Sequence, residues 1–133
     1  MKQEDKELLL RDLCTRLPYG VKCQYQHIQY VENGKIIDIN MFGRVNIDGH
    51  IKDICDIKPY LFPLSSMTEE QKNEYNHWKH EVPVCHYEYG DVVEEIELLD
   101  SPESFEYLIE NHFDYRGLIS MGLAIDCTNL NIY

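Results

Sequence analysis

The segment VKCQYQHIQYVENGKIIDINMFGRVNIDGHIKDICDI, residues 21–57, carries the strongest structural signal in the chain. Apolar and polar residues alternate over residues 21–27, a pattern typical of a half-buried β-strand. Two turn signals follow, Asn33-Gly34 and Asp48-Gly49, and each pair tolerates the positive φ angles that tight hairpins need. We therefore predict a three-stranded antiparallel meander over residues 20–58, with one turn at each pair.

The regions on either side of the meander predict a helix and a loop. Residues 4–17 place leucines at four-residue spacing, which indicates a helix with one apolar face, and Pro18 and Gly20 end it. Residues 58–67 contain two prolines and a pair of serines, so they are predicted as a loop. We expect the Tyr60-Leu61-Phe62 segment of this loop to fold back over a face of the sheet.

The second half of the chain predicts a helix, a hairpin and another helix. Residues 68–71 read Thr-Glu-Glu-Gln, the spacing of a capping box, which opens a helix that runs to about residue 78 or 80. Residues 82–88 and 91–99 are predicted as two paired strands. Ser101-Pro102 then supplies an N-cap and a first helical residue.

The order of these elements predicts the fold class. It runs from an N-terminal helix through a three-stranded meander, a helix and a hairpin to a last helix. Helices do not alternate one for one with strands, so a doubly wound parallel sheet is not expected. The sequence predicts an α+β fold with a mainly antiparallel sheet. The length of 133 residues suits one domain, and residues 1–133 are predicted as a single α+β domain.

Charge is distributed unevenly along the chain. The formal net charge is −12. Residues 1–66 hold nine basic and nine acidic residues, whereas residues 67–133 hold three and fifteen. No Lys or Arg occurs over residues 80–115. Such a field repels nucleic-acid phosphates and anionic lipid headgroups and attracts basic protein surfaces. The sequence therefore predicts a basic protein partner, with no direct binding of nucleic acid or membrane.

Cysteine usage and hydropathy predict the compartment. The five cysteines are odd in number, widely spaced and without a CxxC pair, which argues against a disulfide framework or a zinc ribbon. No apolar run approaches the length of a membrane span, and the first residues are too acidic for a secretory signal. A reducing cytoplasm is the expected compartment.

Three strings in the chain are distinctive. They are EDKELLLRDLCTRLPYGVKCQY at residues 4–25, IKPYLFPLSSMTEEQKNEY at residues 57–75 and HFDYRGLISMGLAID at residues 112–126. Together they resemble a family of short, uncharacterised proteins from Bacteroides-type gut anaerobes and their mobile elements. The resemblance brings no assigned activity, cofactor or site residue. It implies an intracellular accessory protein linked to phage or mobile DNA.

One group of residues weakly resembles a metal site. His77 and His80 are three residues apart near a predicted helix end, and Cys85 and His86 follow in a strand. Adjacent residues of a strand point to opposite faces, so at most one of that pair could join the histidines. An exposed helix that happens to carry two histidines explains the pattern better. No metal site, cofactor or catalytic residue is predicted.

The acidic strand residues give the preferred functional hypothesis. It is a non-enzymatic interaction protein that binds a basic partner through an acidic surface in residues 80–115. The residues predicted to contact the partner are Glu88, Asp91, Glu94, Glu95 and Glu97.

Three alternatives stay open. The acidic surface could mimic DNA and inhibit a nucleic-acid-binding protein, provided that its carboxylates follow phosphate spacing. A small metal-dependent hydrolase would use His77, His80 and either Cys85 or His86. A small-ligand domain would close the segment Tyr60-Leu61-Phe62 over the sheet. The sequence predicts neither the oligomeric state nor the identity of a partner.

Overall fold

A computed structural model describes the whole chain, residues 1–133. Short 3₁₀ turns follow the first helix and flank the fifth strand. The helices are α1 (Gln3–Arg16), α2 (Glu69–His77) and α3 (Pro102–Glu110). The strands are β1 (Lys22–His27), β2 (Tyr30–Ile39), β3 (Arg44–Ile47), β4 (His50–Asp53), β5 (Ile57–Pro63), β6 (His80–Glu88), β7 (Asp91–Leu99), β8 (Phe113–Asp114) and β9 (Ile125–Asp126).

The chain divides into two compact units. The first unit comprises Met1–Ser66 and Ile109–Tyr133, and the second unit comprises Met67–Leu108. The first unit contains α1 and a seven-stranded sheet, and the second contains α2, most of α3 and the β6–β7 hairpin. The expectation that residues 1–133 form one domain stays a prediction.

The sheet of the first unit confirms the predicted α+β class. Its strand order is β4-β3-β2-β1-β5-β8, and β9 also pairs with β5. All pairings from β4 to β5 are antiparallel, whereas β8 and β9 run parallel to β5. The sheet is thus mainly antiparallel, with a parallel edge formed by β8 and β9.

The predicted turn at Asn33-Gly34 is wrong. Both residues lie inside β2, where Gly34 faces Cys23 of β1, and the β1–β2 turn comes earlier, at residues 28–29. A Cβ added at Gly34 would lie 2.5 Å from Cγ2 of Ile47, so glycine is needed here for close packing. The region therefore has four strands before β5 instead of three. The Asp48-Gly49 turn is confirmed, with φ angles of 51° and 96°.

The predicted loop over residues 58–67 is also wrong in its first half. Residues 57–63 form β5, a central strand in which Tyr60 and Leu61 are buried. Its prolines fit because pairing with β1 stops at Pro59 and pairing with β8 stops at Pro63. A proline lacks the amide hydrogen of a sheet ladder, so it is tolerated where pairing ends.

Helix α1 covers the core of the first unit. Leu9 and Leu13 are fully buried and pack with Val21, Ile36 and Ile57 of the sheet region. This agrees with the predicted helix over residues 4–17. Burying one leucine side chain contributes about 2 kcal/mol, which outweighs the weak intrinsic helix propensity of a single position.

A buried ionic cluster joins α1 to the last part of the chain. The Nε of Arg16 donates to Oδ2 of Asp12 at 2.7 Å, and both side chains are fully buried. The Nη2 of Arg16 donates to the carbonyl of Phe113 at 2.6 Å. The Nε of Arg116 donates to Oδ1 of Asp12 at 3.2 Å. Arg116 thus connects the last part of the chain to a residue of α1 that lies 104 positions earlier in the sequence.

The second unit begins and ends with capped helices. Thr68 Oγ1 accepts from the amide of Gln71, and the Gln71 side chain accepts from the amide of Thr68, which confirms the capping box. Ser101 Oγ accepts from the amide of Ser104 at the start of α3.

None of the helices has both the length and the apolar character that crossing a bilayer demands.

Candidate functional site

Most of the net charge belongs to the second unit. Residues 67–108 hold twelve Asp or Glu against two Lys, whereas the rest of the chain holds twelve acidic against ten basic residues. The second unit therefore accounts for −10 of the net −12. The uneven distribution of charge along the sequence therefore corresponds to two compact units of different net charge.

The β6–β7 hairpin determines where the predicted acidic residues lie. Its register pairs Glu88 with Asp91, Val84 with Glu95 and Val82 with Glu97. Directly paired residues share one face of a hairpin, and residues two apart in a strand share that face too. Four of the five predicted carboxylates therefore lie on the same face, which we call the acidic face (Glu88, Asp91, Glu95 and Glu97).

Glu94 lies on the opposite face, where it pairs with Cys85. His86 belongs to the acidic face, and its Nε2 is 3.9 Å from Glu88 and 4.0 Å from Glu95. These three side chains are roughly half exposed, so the contacts are weak and screened by solvent. The carboxylates of the acidic face are thus exposed, whereas Val82, Val84 and Val93 on the same side of the hairpin are half-buried.

The opposite side of the hairpin carries Glu81, Cys85 and Glu94 together with a group of apolar side chains. We call that group the apolar face (Pro83, Tyr87, Val92, Ile96 and Leu98). The register pairs Tyr87 with Val92 and Pro83 with Ile96. Tyr87 is 82% exposed, Ile96 69% and Val92 60%. Sequence reasoning missed this surface, although the alternation of apolar with acidic residues in β7 contains the signal. Exposed apolar side chains grouped in this way are typical of interaction surfaces.

Both edges of the hairpin lack a further strand. β6 and β7 pair only with each other and form a separate two-stranded sheet. Such a hairpin is marginally stable by itself in water. Its outer edges also present unpaired backbone groups that another polypeptide can bind.

Aromatic residues connect the helices of the second unit. Tyr75 and Tyr107 stack with ring centroids 6.2 Å apart, and the Tyr107 hydroxyl donates to Oε2 of Glu74 at 2.9 Å. The Tyr75 hydroxyl donates to Asp100. Burial and the bond to Glu74 raise the pKa of Tyr107 to about 12. Burial and the bond to Asp100 raise the pKa of Tyr75 as well. Both phenols therefore stay protonated donors at neutral pH.

The weak metal candidates do not converge. His77 ends α2, and His80 pairs with Leu99 at one end of the hairpin. His86 lies six residues further along β6, and Cys85 points to the opposite face. No three His, Cys, Asp or Glu side chains come together as a possible metal site.

The proposed ligand loop does not exist, since Tyr60 and Leu61 belong to the buried strand β5. The Tyr60 hydroxyl donates to Asn33 in β2, and Phe62 packs against Phe113 of β8. These contacts hold the segment in the sheet of the first unit. It therefore cannot close over a ligand as a mobile flap.

Comparisons with protein-family models, curated proteins and solved structures gave no significant match.

Proposed function

We propose that this chain is a non-enzymatic interaction protein that binds a basic protein surface through the β6–β7 hairpin. One observation carries the proposal: four carboxylates share the acidic face, and no Lys or Arg lies between residues 80 and 115. Because the sequence resembles proteins of mobile elements, we further propose that the partner is a phage or mobile-element protein.

The electrostatics of the hairpin favour a cationic partner. Carboxylates of one sign on one surface produce a negative potential that speeds encounter with positively charged proteins and repels anionic ones. Because the acidic face is exposed, its contribution weakens as salt increases. The partner is therefore expected to bind faster at low ionic strength.

The apolar face adds the binding energy that exposed charges do not supply. Surface ion pairs contribute at most about 1 kcal/mol each, whereas burial of one large apolar side chain contributes about 2 kcal/mol. Tyr87, Val92 and Ile96 therefore supply affinity if the partner covers both faces or adds a strand to an edge. The acidic face then selects which partner binds.

DNA mimicry is less well supported than protein docking. A nine-residue strand spans about 30 Å, and duplex DNA of that length carries roughly 18 phosphates. The acidic face offers four carboxylates over the same distance. The apolar face has no counterpart in a DNA backbone.

A hydrolase based on His77, His80 and Cys85 or His86 finds no support in the positions of these side chains, which lie apart. The proposed function therefore assigns them no chemical role.

The test is affinity capture from a nuclease-treated lysate of the source cells. The face variant carries Glu88→Gln, Asp91→Asn, Glu95→Gln and Glu97→Gln. A control variant removes the same charge from exposed positions of the first unit: Glu4→Gln, Glu7→Gln, Asp38→Asn and Asp56→Asn.

We expect the wild type and the control variant to recover the same basic protein, and the face variant to lose it. Equal recovery by all three chains would contradict the proposal. Equal loss by both variants would show that net charge alone, and not the acidic face, governs binding. Recovery of a DNA-binding protein that free DNA displaces would favour the mimicry alternative.

A further inference from the structure

A groove in the second unit lies beside the end of α2. It has a volume of about 460 Å³ and is lined by Asn73, Glu74, His77, Trp78 and Tyr107. Trp78 is 48% exposed and is the only tryptophan of the chain. The His77 ring meets Trp78 edge-on at 5.4 Å between ring centroids. Aromatic surface and one carboxylate thus line a shared, open groove.

The lining of the groove is mostly apolar and aromatic and includes one carboxylate, that of Glu74. Aromatic faces attract guanidinium and ammonium groups through their quadrupole, and indole does so most strongly. The Glu74 carboxylate accepts one bond from the Tyr107 hydroxyl, and a carboxylate has capacity for further donors. A bound cation would therefore meet both an aromatic ring and a negative charge.

The aromatic pair formed by Tyr75 and Tyr107 already binds one cation of the chain itself. Lys79 Nζ lies 4.4 Å from the ring centroid of Tyr75, and Tyr75 stacks on Tyr107. Trp78, on the groove, has no such cation among the described contacts. The groove therefore presents an aromatic ring on which no cation is stacked.

We propose that this groove binds an arginine side chain of the partner. The inference rests on the proposed function for the source of that arginine, a basic protein. A planar guanidinium can stack on indole and donate to a carboxylate in one pose, which the compact ammonium of lysine does less well. The arginine would then act as an anchor in the same compact unit as the acidic face.

The first test needs no partner protein. Nα-acetyl-arginine methylamide is titrated to about 100 mM at constant ionic strength, because a contact of this kind gives millimolar or weaker affinity. The readout is the NMR signal of the Trp78 indole N–H, which is unique in the chain. The citrulline analogue, similar in shape but uncharged, and the lysine analogue serve as matched probes.

The second test uses two variants. Glu74→Gln removes the carboxylate of the groove, and Glu69→Gln removes an equal charge from the first turn of the same helix. We expect a saturable shift with the arginine probe, a weaker one with lysine and none with citrulline. Glu74→Gln should weaken arginine binding by about threefold to fivefold, and Glu69→Gln should not.

Several results would overturn the inference. They are no shift with the arginine probe, equal shifts with arginine and citrulline, tighter binding of lysine, or equal weakening by both variants. If the groove fails while the acidic-face variant still loses its partner, only this inference falls. If the groove binds arginine but capture does not depend on the acidic face, the proposed function falls instead.

Discussion

At the scale of single residues, the buried charge of Asp12 has the largest expected effect on stability. Its carboxylate accepts from Arg16 and Arg116, and Arg16 is fully buried. Replacement by alanine leaves a buried guanidinium without its counter-charge. We predict that Asp12→Ala lowers the free energy of unfolding by about 3–5 kcal/mol, measured by urea denaturation.

The matched control is Glu7→Ala, which removes an exposed carboxylate from the same helix. It should change the free energy of unfolding by about 0.5 kcal/mol or less. Similar losses in the two variants would show that the cluster around Asp12 contributes nothing specific.

His112 gives a second prediction at this scale. Burial, together with the nearby charges of Arg16 and Lys22, lowers the pKa of His112 to about 4. Unfolding returns the pKa to about 6.5, so the unfolded chain binds the proton more tightly between these values. The stability that depends on a neutral His112 is therefore fully present above pH 6.5 and is lost as the pH falls toward 4.

The measurement compares urea unfolding of the wild type and His112→Phe, which keeps an aromatic ring to stack on Tyr133. Between pH 7 and pH 4, the free energy of unfolding of the wild type should fall by up to about 3 kcal/mol relative to that of His112→Phe. A difference that stays constant over this range would contradict a neutral, half-buried His112.

At the scale of elements, Gly34 tests the corrected strand topology. In β2 it lies against Ile47, and an added Cβ would come within 2.5 Å of that side chain. We predict that Gly34→Ala lowers the free energy of unfolding by about 1–3 kcal/mol through overpacking, measured by urea denaturation. The control Lys35→Ala, at an exposed position of β2, should have a much smaller effect. Equal stability of Gly34→Ala and wild type would contradict the close packing at this strand.

Local signals explain which elements could be predicted from sequence. The capping box at Thr68, the Ser101 cap and the Asp48-Gly49 turn each depend on residues close together in the chain, and all three are confirmed. The Asn33-Gly34 pair is equally suited to a turn, but packing against Ile47 places it in a strand. Local sequence does not contain that contact.

The same distinction applies to the candidate site. Alternation in β7 predicts which residues share a face, so the acidic face follows from the sequence once the hairpin is accepted. The apolar face follows from the same alternation, although the excess of acidic residues in this segment obscures it. The groove could not be predicted, since Trp78 and Tyr107 come from different elements and meet only after folding.

At the scale of the whole molecule, charge and compact units coincide. The first unit is nearly neutral and has a well-packed core, whereas the second carries most of the negative charge and an open hairpin. Under the proposed function, recognition belongs to the second unit, whereas the core of the first unit supplies stability. A partner that neutralises the second unit would also relieve its self-repulsion.

Amide hydrogen exchange, measured with and without the basic protein recovered by capture, tests this account most directly. We predict that binding slows exchange in the hairpin, His80–Leu99, and leaves strands β3 and β4 of the first unit unchanged. Protection confined to the first unit, with exchange in the hairpin unaltered, would contradict the account.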